Sequence, residues 1–139
     1  MREKLPVVSK GILVVVSAFY AYGALVHVLN MFSLSGFDWM QAPLKWQVLD
    51  IVYLILDLLV VAGLYRRQRF AVAAFYVAAF SQIILYTVLR TWIMDVPEAY
   101  AISSDQNAYL TLLVGFHMVT LVFVSAALRC IPGHARSIT

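Results

Sequence analysis

The chain has 139 residues, of which 63% are hydrophobic and only 12% charged, far more apolar than a soluble domain of this size sustains. Its net charge of +3 comes from basic residues in short flanks beside hydrophobic runs, the pattern of membrane orientation signals rather than of a nucleic-acid surface. The single cysteine, Cys130, excludes an internal disulfide and any CxxC redox or zinc site.

The apolar runs predict an all-α polytopic membrane protein: a four-transmembrane-helix antiparallel bundle, one domain over residues 1–139, with spans at about 11–32, 47–65, 70–93 and 109–130. The first run follows Arg2, Lys4 and Lys10, as a signal peptide would. It continues through AYGALVHVLNMF, too long for a cleavable segment, so it is expected to be a retained span. On it Tyr20, Gly23, His27 and Asn30 follow i, i+3, i+7 and i+10, a small and polar stripe suited to helix packing. The connector SLSGFDWMQAPLKW mixes Gly36, Asp38 and Pro43 with Trp39 and Trp46, the composition of a segment at the lipid–water boundary.

The second run, WQVLDIVYLILDLLVVAGL, carries two carboxylates. About 19 residues of helix rise roughly 28 Å, the thickness of the hydrocarbon core. Asp50, Tyr53, Leu54 and Asp57 fall at i, i+3, i+4 and i+7 and share one face. An ionisable group at such depth costs about 2.5 to 3.5 kcal/mol unless it meets protein or water, so this face is expected to point inward. A tight connection through Arg66, Arg67 and Arg69 leads to the third run, where Gln82, Tyr86 and Arg90 align at i, i+4 and i+8. The acidic loop MDVPEAYAISSDQN precedes the fourth, which holds Gly115, His117 and Thr120 and ends before a tail with Pro132, Gly133 and His134.

Arg2, Lys4, Lys10, Arg66, Arg67, Arg69, Arg129 and Arg136 fall on one predicted side. Lys45, Asp38, Asp95, Glu98, Asp105 and the three tryptophans fall on the other. Retention of Lys and Arg in the cytoplasm then sets both termini inside, in a bacterial inner membrane. From a rise of 1.5 Å per residue, Asp50 and Arg90 lie about 6 Å below the outer boundary and His27 about 7 Å, with Asn30 nearer the surface. His117 lies about 13 Å down, Asp57 about 16 Å and Gln82 about 18 Å, with Tyr86 between the two layers.

Matched depth pairs Asp50 with Arg90, either as an ion pair that locks the second helix to the third or as an anion site in which Asp50 orients Arg90. Asp57 has no cation at its level and is expected to be neutral, hydrogen-bonding to Gln82, Tyr86 or His117. Such bonds either tie helices together or mark a ligand or proton site. His27 and His117 admit a haem b reading, because paired histidines on facing helices hold that cofactor in bundles; the default is a satisfied core histidine, and no metal-ligand spacing such as HExxH is present. Nor does the chain carry GxSxG, a P-loop or a Rossmann fingerprint.

In span count and size, with polar residues near the outer leaflet, the layout resembles the DoxX-like group of small bacterial membrane proteins. The resemblance is one of layout, and no residue role is carried from it.

The sequence thus predicts a polar pocket opening toward the periplasm, its floor formed by Asp57, His117, Gln82 and Tyr86 and its mouth by Arg90, Asp50, His27 and Asn30. Such a pocket would bind a small amphipathic or anionic molecule or relay protons, within a homo-oligomer or larger membrane complex in the lipid bilayer. Two other readings remain: a redox subunit with haem b or a quinone site, and a non-catalytic scaffold.

Overall fold

The computed structural model describes residues 7–129. Arg2, Lys4, Cys130, Pro132, Gly133, His134 and Arg136 lie outside the described residues, and with them the expectations placed on the two termini. The described chain is all helix and connection: α1 (Val7–Met31), α2 (Leu44–Gly63), α3 (Arg69–Tyr86), the short α4 (Arg90–Met94) and α5 (Ser104–Arg129), with single 3-10 turns at Trp39–Gln41 and Glu98–Tyr100. Among the described residues, α1, α2, α3 and α5 are each long and apolar enough to cross a membrane.

The helix ends follow from local chemistry. Leu34 N–H reaches Leu29 C=O at 2.9 Å and Ser33 N–H reaches Asn30 C=O at 2.8 Å, a Schellman closure of α1 with Ser33 at φ 58°. The end of α2 closes in the same way: Gln68 N–H meets Gly63 C=O at 3.0 Å, Arg67 N–H meets Leu64 C=O at 2.9 Å, and Arg67 sits at φ 56°. Gly63 has no room for a side chain there, since a Cβ would stand 2.8 Å from Ala71 Cβ and 2.9 Å from Phe70 Cζ. That close approach lets α3 start four residues after the α2 cap and fold back along it. Between α1 and α2, Asp38 caps the first 3-10 turn by accepting from Met40 N–H at 3.0 Å.

The third apolar run behaves differently from its pattern. A span to about residue 93 is predicted, yet α3 ends at Tyr86 and a separate α4 begins at Arg90. The backbone N–H and the hydroxyl of Thr87 both bond to Ile83 C=O, at 3.0 and 2.6 Å, and Leu89 N–H reaches back to Ile84 at 3.0 Å. A β-branched hydroxyl competing for the helix carbonyl, followed by a widened turn, redirects the chain.

Helix α1 packs against α2 and α5, and α3 packs against α2 and α5, so the four long helices close a ring. One end of the ring carries the α2–α3 turn and is filled by a core cluster that includes Leu13, Val16, Val60, Leu64, Phe75 and Val124, drawn from all four helices. The other end carries the long connections. Its smaller cluster, Tyr53, Leu85 and Ile93 with Trp46, Leu49, Leu56, Tyr86 and Met94 beside it, comes from α2, α3 and α4 alone. The space left by α1 and α5 at this loop end is a cavity.

Candidate functional site

The cavity encloses about 470 Å³. Asp57, His117, Gln82, Tyr86, Asp50, His27 and Asn30 all line it, whereas Arg90 does not. Helical spacing accounts for the gathering: His27 and Asn30 on α1, Asp50, Tyr53 and Asp57 on α2, and Gln82 and Tyr86 on α3 recur three or four residues apart and turn inward because lipid offers them no partner.

Asp50, at the start of α2, is the most heavily bonded of these side chains. Its Oδ1 lies 2.7 Å from His27 Nδ1 and accepts from Asn30 Nδ2 at 3.0 Å, while its Oδ2 accepts from Trp39 Nε1 at 2.9 Å. The ion pair predicted between Asp50 and Arg90 is therefore not formed. Arg90 donates instead to Asn107, through Nε at 3.1 Å to Oδ1 and Nη2 at 2.6 Å to the backbone carbonyl, and to Thr111 at 3.0 Å. The broken third helix explains the difference, because α4 carries Arg90 away from α2 and onto the first turn of α5. Trp39 took its place at Asp50. From sequence Trp39 reads as an interfacial anchor; the signal that it reaches into the site, an indole N–H eleven residues before a membrane acid, is too weak to assign.

The bond to Asp50 fixes His27. With the carboxylate accepting from Asn30 and Trp39 as well, the imidazole carries a hydrogen on Nδ1 for this bond and turns Nε2 to its other side. That atom faces Asp57 Oδ2 at 3.9 Å, and the ring stacks on Tyr53 at a centroid distance of 6.1 Å. Asp57 is 3% exposed and sits against Gly23 of α1, where a Cβ would come within 2.5 Å of Oδ2. Only glycine lets the carboxyl occupy this place.

Among the described residues three buried polar atoms have no hydrogen-bond partner, Ser17 Oγ, the Tyr20 hydroxyl and His117 Nε2; Tyr20 and His117 line the cavity and Ser17 does not. His117 is 1% exposed, and its other nitrogen lies 2.7 Å from Leu113 C=O, so Nδ1 is the donor and Nε2 an acceptor. Tyr20 and His117 stand edge to face with ring centroids 6.2 Å apart, and both line the cavity with Gln82 and Tyr86. Leaving a buried polar atom unsatisfied costs about 1 to 3 kcal/mol, and of the three such atoms the two on the cavity wall are within reach of a ligand.

A haem held by His27 and His117 does not fit this donor set. The second ring nitrogen of His27, Nε2, faces a carboxyl at 3.9 Å, leaving no depth for a macrocycle between them. Among the described residues no three His, Cys, Asp or Glu side chains are placed to hold a metal ion.

No protein-family model matches the chain, and neither a curated protein nor a solved structure matches it. The functional reading therefore rests on the chemistry of the cavity.

Proposed function

We propose that this is a multi-pass protein of the bacterial inner membrane, an antiparallel four-helix bundle with both termini cytoplasmic, whose periplasmic half holds a binding pocket for a small amphipathic molecule. The orientation is supported by charge: Lys10, Arg66, Arg67, Arg69 and Arg129 belong to the turn end, and Asp38, Asp95, Glu98 and Asp105 to the loop end. The two cations at the loop end are both tied to carbonyls, Lys45 to those of Trp92 and Asp95 and Arg90 to that of Asn107.

One observation carries the pocket. At hydrocarbon depth, the Tyr20 hydroxyl and His117 Nε2 stand without partners beside Asp57, on the floor of a cavity walled by aromatic rings. Polar atoms in that position favour a ligand head that both donates and accepts hydrogen bonds. The cavity holds two carboxyls and two histidines and no lysine or arginine, which favours a neutral or cationic head over the anionic one. A chain of 139 residues leaves little room for a complete alternating-access transporter, so we place the pocket within a homo-oligomer or larger membrane complex.

The test uses the full chain in detergent with dodecylamine, dodecanol and dodecanoate as probes, reading thermal unfolding. The amine and the alcohol are expected to raise the unfolding temperature and the carboxylate to leave it unchanged, and His117→Leu removes the effect. Equal shifts from all three, or shifts indifferent to His117, would overturn the pocket.

A further inference from the structure

The loop end is stitched together unevenly. Helices α1 and α2 are joined there by His27 and Asn30 on Asp50. Helices α2 and α4 are joined by Lys45 on the carbonyls of Trp92 and Asp95 and by Trp46 Nε1 on Ile93 C=O at 3.0 Å. Arg90 joins α4 to α5 through Asn107 and Thr111. The remaining seam, between α5 and α1, has no such stitch among the described residues. Phe19 stacks on Phe116 at 3.6 Å and Tyr20 meets His117 edge to face at 6.2 Å; from Tyr22 on α1 and Leu113 on α5 toward the loops, no hydrogen bond, ion pair or ring contact joins the two helices among the described residues. The core cluster of this end likewise contains no residue of α1 or α5.

The same seam is a wall of the cavity. Tyr22 and Val26 of α1 and Tyr109, Leu110 and Leu113 of α5 all line it. Tyr22 is 56% and Tyr109 49% exposed, so these rings border the cavity and the outer face of the bundle at once. At the aqueous end Phe37, Trp46 and Tyr100 meet edge to face with centroids 6.1 to 6.4 Å apart, and the Ser35–Phe37 and Ala99–Ile102 stretches line the cavity around them, so a solute from that side meets an aromatic cluster tied together by its own ring contacts.

We infer that the ligand enters sideways, out of the bilayer between α1 and α5, and that it is a lipid-dissolved, single-chain amphiphile with a neutral or cationic head. The inference rests on the pocket proposed above and adds its route and substrate class. The head passes the Phe19–Phe116 sill to reach Asp57, Tyr20 and His117. The chain stays between Tyr22, Val26, Tyr109 and Leu113, where its outer part remains in lipid. A water-borne solute has no reason for an apolar side door. A molecule already in the membrane keeps its tail solvated through the whole passage, and only its head exchanges partners.

The test is photolabelling of the full chain in liposomes with a long-chain alcohol bearing a diazirine in its chain, with labelled residues located by mass spectrometry. Label is expected on Tyr22, Val26, Leu110 and Leu113, falling about tenfold with excess unlabelled dodecanol and about tenfold in Leu113→Trp. Label on the lipid-facing Val122 and Phe123 remains unchanged as the internal reference. Val26→Trp narrows the seam from the other helix and gives the same result should Leu113→Trp fail to fold. Label at the seam that neither competitor nor tryptophan reduces means ordinary surrounding lipid and overturns the side entry. Label confined to Phe37 and Tyr100 overturns the route while leaving the pocket. Label on no cavity residue overturns both.

Discussion

Asp50 and Asp57 lie two helical turns apart on one face and are treated in opposite ways by their surroundings. Asp50 has three hydrogen-bond donors; Asp57 has none among the described residues, and His27 Nε2 stands 3.9 Å from its Oδ2. The first ties α1 and the Trp39 turn to α2; the second is the acid that the proposed pocket would offer to its ligand. Trp39→Phe removes one donor from Asp50 and is expected to cost about 0.6 kcal/mol, and no more than about 2, in the range of membrane side-chain hydrogen bonds. Reversible unfolding in mixed micelles measures it, and dodecylamine binding should be unaffected. Gly23→Ala acts on the other acid. Its Cβ would stand 2.5 Å from Asp57 Oδ2, so the carboxyl must turn away, and the thermal shift given by dodecylamine is expected to vanish while the fold persists. Retention of the full shift would show that the place of Asp57 beside α1 is immaterial. The inward face of Asp50 and Asp57 could be read from helical spacing alone, because a charge facing lipid is the one arrangement physics excludes. The partner of Asp50 could not. Depth arithmetic assumes a straight third helix, and Thr87 breaks it.

The elements that position the site are closed by features with weak sequence signals. Schellman ends favour glycine at the left-handed position, but Ser33 and Arg67 occupy it here, at φ 58° and 56°. Their helix ends had to be inferred from charge and composition instead. An L-residue in that conformation carries about 1 to 2 kcal/mol of strain, and glycine would relieve it while adding freedom to the unfolded chain. Arg67→Gly is therefore expected to stabilise the α2–α3 turn by up to about 1 kcal/mol, read from the same unfolding experiment. Gly63→Ala does the reverse. Its Cβ meets Ala71 Cβ at 2.8 Å, a backbone-anchored neighbour unable to swing aside, and overpacking of this kind costs about 1 to 3 kcal/mol. The same close approach explains why α3 can spend its buried face on Ala71, Ala74, Ala78 and Ala79, residues small enough to bring backbones together where the hydrophobic effect offers nothing.

Across the whole molecule, the packed core and the cavity divide the bundle by depth. All four long helices contribute to the cluster at the turn end; at the loop end the cluster is built from one side and the polar cavity fills the other. Dense packing at one end supplies a fixed frame, so the helix ends around the cavity can part along a single seam without loosening the rest. The proposed placement of the cavity in the periplasmic half rests on where the cations are. Lys10, Arg66, Arg67, Arg69 and Arg129 sit together at the far end from the acidic loops, and the tendency of Lys and Arg to stay in the cytoplasm supports the proposal that this end is inside. In a background with Cys130→Ser, a cysteine introduced at Glu98 is expected to react with a membrane-impermeant maleimide on intact cells. One introduced at Gln68 should react only after the membrane is opened. The opposite pattern would turn the bundle over, and the side door would then draw its amphiphile from the cytoplasmic leaflet, whose negative surface potential enriches cationic amphiphiles there. The labelling pattern therefore decides which leaflet supplies the ligand.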